Sequence, residues 1–541
     1  MGIPSYFSYV SKHHNIVSKI KKSVYTDNLY FDCNSTIYNA IHKLNATNET
    51  PLDVIYEKVI HEILKYLTHI IARKTIFIAF DGVAPFAKMK QQRERRHRSA
   101  ILSMYEKELS KNKEQTNMSS IPFDKASITP GTGFMKNLDR YMNKHLSNRI
   151  KQFAESNNHP VPNIIFSGPM EVGEGEHKIF EYIRNHHEKH STEETHIYGM
   201  DADLIILSLQ HTRYCKSIFL FREDFDDHLI QLNIDKMTDD IVKDIGPHNE
   251  KQISRRITDY ILMSFILGND FLPHSPFLNI RTTGIKHLLK TYKDIVETNP
   301  DFYLTTEHND CIIIQKNLKR LCSVIAQHEK QYLTEEYHHR NKMQYFRMPG
   351  DPDERHKDIL LRIPQNNRER ELRIQPHLNN NEWRRIYYET LFRTKPTREF
   401  KKQVCVQYLS GLQWCLSYYT SHCVDTNWDY PYHYPPLFSD LIQYIPSMNC
   451  NYFSENPCKD FVSSIEQLCY VLPPSSYNLL PEAIRIKLIQ YWKIHGIHYN
   501  VDDITDVRAI PLQWEYCTYL WEAHPLLPEF PKEIIKHALY T

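Results

Sequence analysis

The sequence predicts an α/β fold: a mostly parallel sheet flanked by helices, with a largely helical, aromatic-rich second region packed on it. Two observations carry this. Over residues 1–290, short apolar runs alternate with stretches of helical periodicity, the pattern of strand–helix–strand units around a parallel sheet. After residue 380 the chain becomes aromatic, and many of its 35 tyrosines gather there against only 14 glycines in the whole sequence. Most of those tyrosines suit packing positions with a polar tip, and a few could stack on bases.

Taken in order, Asn28-Leu-Tyr-Phe-Asp32 reads as a strand, and residues 52–71 read as a helix by the spacing of their apolar positions. Thr75 to Asp81 is the second strand, followed by a basic helix over 88–98. Asn163 to Gly168 and His196 to Asp201 are two more strands. Residues 1–295 form the α/β region. Residues 296–382 form a polar helical connector with a loop near 345–380, where Pro349-Gly-Asp-Pro352 signals a turn. Residues 383–541 form the aromatic-rich second region. There is no internal repeat.

These strands share one feature: each ends in, or shortly before, acidic residues. The acids are Asp32, Asp81, the Glu174-Gly-Glu176 pair, and Asp201-Ala-Asp203; Asp270 adds a seventh in the turn Leu267-Gly-Asn-Asp270. Strand carboxyl ends line up at one crevice in a parallel sheet. A single acid at a strand end is most often a cap or turn residue. Seven gathered at one crevice would repel each other unless a cation sat among them. The economical reading is a divalent-metal site, two Mg²⁺ or Mn²⁺ ions, of the phosphodiester-cleaving kind. The glycines flanking Glu174 allow close backbone approach there.

Residues 88–98 carry six Lys or Arg in eleven positions. On a helix, Lys88, Gln92, Arg95 and Arg96 share one face. A charge run is usually solvated surface. Beside an acidic crevice this one suits a terminal phosphate, which Arg grips with two parallel hydrogen bonds and Lys meets as a point charge.

The bulk numbers narrow the class. Formal net charge is +1, so any attraction for nucleic acid must be local. The 11 cysteines include no C-x-x-C, which argues against zinc knuckles and a disulfide scaffold. No apolar run reaches the roughly 18 residues of a membrane span. Neither a signal peptide nor a myristoylation pattern opens the chain, Tyr6 standing where the latter needs Ser or Thr. The expectation is a soluble, reduced, cytoplasmic protein with no membrane association, the nucleus not excluded.

The stretch Asp81-Gly-Val-Ala-Pro-Phe through Lys88-Met-Lys-Gln-Gln-Arg-Glu-Arg-Arg-His-Arg resembles the signature of the Xrn-type 5′→3′ exoribonucleases. So do Ile128-Thr-Pro-Gly-Thr132, Gly173-Glu-Gly-Glu-His-Lys178, Tyr198-Gly-Met-Asp-Ala-Asp-Leu204, Gly268-Asn-Asp-Phe-Leu-Pro-His274, Gly411-Leu-Gln-Trp414 and Trp428-Asp-Tyr-Pro-Tyr-His-Tyr-Pro435. The resemblance implies a flap-nuclease-like (PIN-like) core that degrades 5′-monophosphorylated single-stranded RNA processively, in messenger decay. It implies that the seven acids bind metal, and that Lys88, Gln92, Arg95 and Arg96 hold the 5′-phosphate. Asn34 and Lys178 would line the site, and Tyr38 and Trp428 would contact bases. A monomer is expected, with a decapping enzyme upstream. The chain resembles a minimal core of the sort some large DNA viruses encode. Four positions depart from the family pattern: Tyr38 for a usual His, Phe86 for Arg, Gly133 for Glu and Thr426 for Trp. Two alternatives stay open, a flap-endonuclease-like DNA nuclease and a catalytically inactive protein that binds RNA 5′ ends.

Overall fold

The computed structural model describes residues 2–3, 5–110, 123–224, 226–246, 252–307, 311–344, 361–378, 381–453, 456–494 and 510–530. Seven strands form one sheet: β1 (Val17–Lys19), β2 (Val24–Asp32), β3 (Ile70–Ala79), β4 (Asn163–Ser167), β5 (Glu194–Tyr198), β6 (Ser217–Glu223) and β7 (Leu229–Asn233). Their spatial order is β4-β3-β2-β5-β6-β7-β1. The five from β4 to β6 are parallel, and β7 and β1 add an antiparallel edge. The fold is α/β with a mostly parallel sheet flanked by helices, as the alternating pattern predicts.

Alternation along the central strands sorts side chains to two faces. Leu29, Phe31, Ile76 and Ile78 enter a core beneath the helices Asn34–Lys43, Leu52–Leu67 and Gly133–Ser156. Tyr30, Phe77 and Ala79 enter the opposite core, with Ile179 of helix Gly175–Asn185 and Leu204 of helix Asp203–His211. Strands covered on both faces read as near-continuous apolar runs, which is why β2 and β3 are legible.

The second core does not stop at the sheet. It runs on through the buried helix Ile253–Ile266 to Leu409, Leu412 and Trp414 of helix Arg398–Thr420, so both regions share one apolar interior. In the connector, helix Gln315–Gln344 spans 30 residues and buries Leu318, Leu321, Cys322, Ile325 and Leu333. The turn signal 349–352 lies outside the described residues. Within the described part, buried Glu371 accepts hydrogen bonds from Arg340 Nε and Arg368 Nε, both at 2.8 Å. This stretch is pinned by charge pairing and is not a free loop. Among the described residues no helix is long and apolar enough to cross a membrane.

Chain order supplies the last positional fact. From β2 the chain moves outward to β3 and β4, then returns to the other side of β2 at β5. The reversal falls between β2 and β5, and a crevice opens outside their carboxyl ends. Asp32 ends β2, and Asp201 follows β5 by three residues.

Candidate active site

The acids converge on that crevice. One carboxylate oxygen each from Asp32, Glu176 and Asp201 lie within 4.8 Å of one another. Burial pushes the Asp32 carboxyl well above its ordinary range, and Asp81, Asp201 and Glu174 add to the shift. Glu176 is likewise raised by burial, with Glu174, Asp203 and Asp32 adding to it. Burial and then Asp270 raise Asp203 to about 7. The seven therefore act on one another electrostatically.

Glycines let backbone come this close. Gly175 N–H donates to Asp81 Oδ1 at 2.7 Å, and a Cβ there would stand 2.7 Å from Asp32 Oδ1. Gly2, at φ 81°, donates its N–H to Asp270 Oδ1 at 2.9 Å, and a Cβ on it would overlap the Asp203 carboxylate. Asn34, at the start of its helix, donates to Asp81 and accepts from the Asp81 N–H at 3.1 Å. Lys178 bonds the carbonyls of Phe80 and Gly168, both at 2.8 Å, and so ties the loop after β3 to the loop after β4. Burial lowers Lys178 to about 8 against the pull of nearby acids.

The donor set fits hard divalent cations. It is all oxygen, and the buried Asp32 Oδ1 and Asp203 Oδ1 have no hydrogen-bond partner. Asp32, Glu176 and Asp201 would hold one ion, with Asp81, Glu174, Asp203 and Asp270 around them.

Lys88 departs from expectation. Its Nζ lies 2.6 Å from Glu174 Oε2 and 3.0 Å from Asp270 Oδ2, inside the acidic cluster and not on a separate phosphate face. Burial works to neutralise it, but Glu174, Asp270, Glu176 and Asp203 outweigh that and hold it well above its ordinary value. Crowded carboxylates demand counter-charge, and Lys88 sits in the first turn of helix Phe86–Ser110, which rises beside them.

The rest of the expected phosphate face follows on the same helix. Gln92 is 7% exposed, and its Oε1 has no hydrogen-bond partner. Arg96 makes a long 3.4 Å bond to the Ala126 carbonyl, while its Nε has no partner. Burial, then the like charge of Arg95, lowers Arg96 to about 10. Two neighbouring guanidiniums, one with an unpartnered Nε, suit an anion. Tyr38, 39% exposed and one turn beyond Asn34, lies close enough for its hydroxyl to act on Arg96. An open ring there can meet a base.

Trp428 cannot do so from where it stands. It is 8% exposed, its ring stacks on Trp414 at 5.0 Å, and its Nε1 donates to Ser410 Oγ at 3.2 Å. The base contact expected of it is corrected to a packing role. Two of the departures are absorbed by local contacts: Phe86 lies against Tyr470 at 4.7 Å, and Thr426 donates to the Asp460 carbonyl at 2.7 Å.

The Trp428 stack leads to a residue the sequence did not single out. Trp414 stacks on Tyr418 at 4.8 Å, Tyr418 stacks on His177 at 3.8 Å, and Tyr418 OH donates to Glu174 Oε1 at 2.7 Å. The helical region thus holds an active-site acid in place. Tyr418→Phe keeps the stack and removes one hydrogen bond to a carboxylate, worth about 1.5–3 kcal/mol. The expected result is a fall in kcat of about 10- to 100-fold with KM for substrate little changed. An unchanged kcat alongside a lowered Tm would make Tyr418 a packing residue only.

Residues 1–224 match the family model described as the XRN 5′-3′ exonuclease N-terminus. Residues 250–360 and 353–492 match the model of the Xrn1 helical domain. The chain belongs to the XRN exonuclease family. Human 5′-3′ exoribonuclease 1 is 29% identical over 575 aligned residues, covering 95% of this chain and 33% of the human protein. The Saccharomyces cerevisiae 5′-3′ exoribonuclease 1 is 27% identical, covering 95% of this chain and 42% of its own length. The chain thus spans a third to two-fifths of these XRN relatives. Among solved structures, the catalytic core of Rad2 in complex with DNA substrate aligns at 14% identity with a TM-score of 0.30, covering 65% of this chain and 83% of that one. Membership in the XRN family accounts for both blocks together, the acidic α/β region and the helical region that braces it.

Proposed function

We propose that this protein is a divalent-metal-dependent 5′→3′ exoribonuclease acting on single-stranded RNA with a 5′-monophosphate, in messenger turnover downstream of decapping. The observation that carries the reading is a juxtaposition. Within one helix, Lys88 enters a cluster of seven carboxylates, and one to two turns later Gln92 Oε1 and Arg96 Nε have no hydrogen-bond partner, with Arg96 within electrostatic reach of Arg95 and Tyr38. The names of the human and yeast relatives support the same activity.

Each residue then has a task. Gln92, Arg95 and Arg96 bind the terminal phosphate, which sets the distance from the 5′ end to the bond that breaks. A capped or triphosphate end is too bulky for that seat. Tyr38 stacks on the first base, with stacking worth about 1–3 kcal/mol and little sequence preference. Two Mg²⁺ or Mn²⁺ ions held by the acids would supply water activation and stabilise the departing 3′ oxygen. Water adds across the phosphodiester, and the P–O3′ bond breaks. The first nucleotide leaves as a nucleoside 5′-monophosphate, and the shortened RNA keeps a new 5′-phosphate. Asn34 and Tyr418 fix Asp81 and Glu174 in orientation, so little reorganisation is needed at the moment of reaction. The new phosphate end advances into the same seat, which makes the reaction processive.

Substrate choice tests the reading. With Mg²⁺, 5′-monophosphorylated single-stranded RNA is expected to be consumed at least about 100-fold faster than a branched DNA flap. Faster cleavage of the flap would replace this reading with a flap-endonuclease-like activity. Tight RNA binding without cleavage would make the protein an end-binding decoy.

A further inference from the structure

A cavity of about 570 Å³ adjoins the acidic cluster at Asp270, and Tyr38 is not among the residues that line it. Of the seven acids only Asp270 lines it, together with Gly2 and Met200. One thin layer separates it from the reaction site: Asp270 Oδ1 accepts from Gly2, while Oδ2 faces Lys88. Its volume falls within the roughly 300–1,000 Å³ that holds a small molecule.

The basic helix divides two spaces. Arg96 faces Ala126 and Tyr38, while Lys90, Glu94 and Arg98 line the cavity. At about 100° per residue, Arg95 falls on the border between them, and it too lines the cavity. The opposite wall is aromatic. His433 and His524 stack at 4.6 Å with an interplanar angle of 16°, and Trp521 adds a ring that is 43% exposed. Burial lowers both histidines, so their stack is a neutral plate suited to the face of a base. Glu94, His433 and His524 also bring three ligand atoms within 4.8 Å, but Lys90 and Arg98 lie beside the histidines and oppose a cation there.

We propose that this cavity receives the nucleoside 5′-monophosphate released in each cycle, with its phosphate toward Arg95 and Arg98 and its base toward the His433–His524 plate. The inference rests on the exoribonuclease reading and deepens it. A product that left by the route of the incoming end would force the RNA to back away after every cleavage. A second chamber lets the mononucleotide move on while the new 5′-phosphate advances. Arg95, on the border of both spaces, hands the phosphate from one to the other.

Product inhibition by added AMP tests this, with 5′-monophosphorylated RNA as substrate. The expected pattern is noncompetitive: AMP lowers kcat and leaves KM for RNA nearly unchanged. Purely competitive inhibition would put the mononucleotide in the entry seat and overturn the proposal, as would no inhibition at millimolar AMP. Thr518→Trp, which narrows the cavity, gives a second readout. It should release the first nucleotide at the wild-type rate and slow later cycles by about tenfold or more. Equal slowing of every cycle, or none, would also overturn the proposal. If that variant does not fold, the AMP kinetics of the wild-type protein decide alone. Failure of the underlying reading looks different: wild-type protein would then release no mononucleotide even without AMP.

Discussion

Asp203→Asn or Glu176→Gln is expected to lower the rate of RNA hydrolysis by at least about 10³-fold while leaving the fold intact, because each removes a charged oxygen from the acidic cluster proposed to hold the metal. A stability measurement should separate this from simple damage. Asp203 is 2% exposed, its Oδ1 has no hydrogen-bond partner, and burial and Asp270 raise its pKa from 3.8 to about 7. The sign follows from linkage. Between pH 4 and 7 the folded state holds a proton on Asp203 that the unfolded chain has released. Stability without metal therefore falls as pH rises through this window, by at most about 4 kcal/mol for this group. Asp203→Asn removes that loss, so in EDTA at pH 7 the variant is expected to melt higher than wild type although it is inactive. Full activity in either variant would refute the assignment of the acids. A lower Tm for Asp203→Asn across the whole pH range would refute the electrostatic account.

The second large effect is expected two turns further along the basic helix. Arg95→Ala with Arg96→Ala should erase most of the preference for 5′-monophosphate over 5′-hydroxyl RNA. A hydrogen bond to a charged group contributes about 1.5–3 kcal/mol, so losing two predicts a drop in the preference of about 10²-fold or more. Cleavage of 5′-hydroxyl RNA should change far less, because the acids are untouched. Lys88 is not part of this test. It lies between Glu174 and Asp270, so its removal would disturb the acids themselves. An unchanged preference in the double variant would remove the terminal phosphate from this face.

Much of the site was readable because apolar runs buried on both sheet faces mark the strands, and the acids sit where those strands end. The glycine-flanked Glu174 was informative for the same reason: its neighbour Gly175 meets Asp81 backbone to side chain. Helical spacing grouped Lys88 with Gln92, Arg95 and Arg96, but spacing carries no information about which side chain answers a cluster of charge. The family resemblance implies a base contact for Trp428, yet its burial against Trp414 depends on how the segment after helix Arg398–Thr420 folds back on that helix. Tyr418 was hidden for a related reason. Helix Arg398–Thr420 also carries Tyr408, Trp414 and Tyr419, all buried, and only tertiary packing selects the one that reaches Glu174. Strands β6, β7 and β1 carry none of the seven acids to mark them.

The central claim is that one site reads a 5′-phosphate and cuts one nucleotide away from it. The most direct test is a time course on a single 3′-labelled RNA bearing a 5′-monophosphate, 5′-hydroxyl or 5′-triphosphate, in Mg²⁺ and in EDTA. The account predicts Mg²⁺-dependent loss of the monophosphate RNA alone, with no ladder of intermediates. Internal cuts that ignore the 5′ end, or equal loss of all three RNAs, would contradict it.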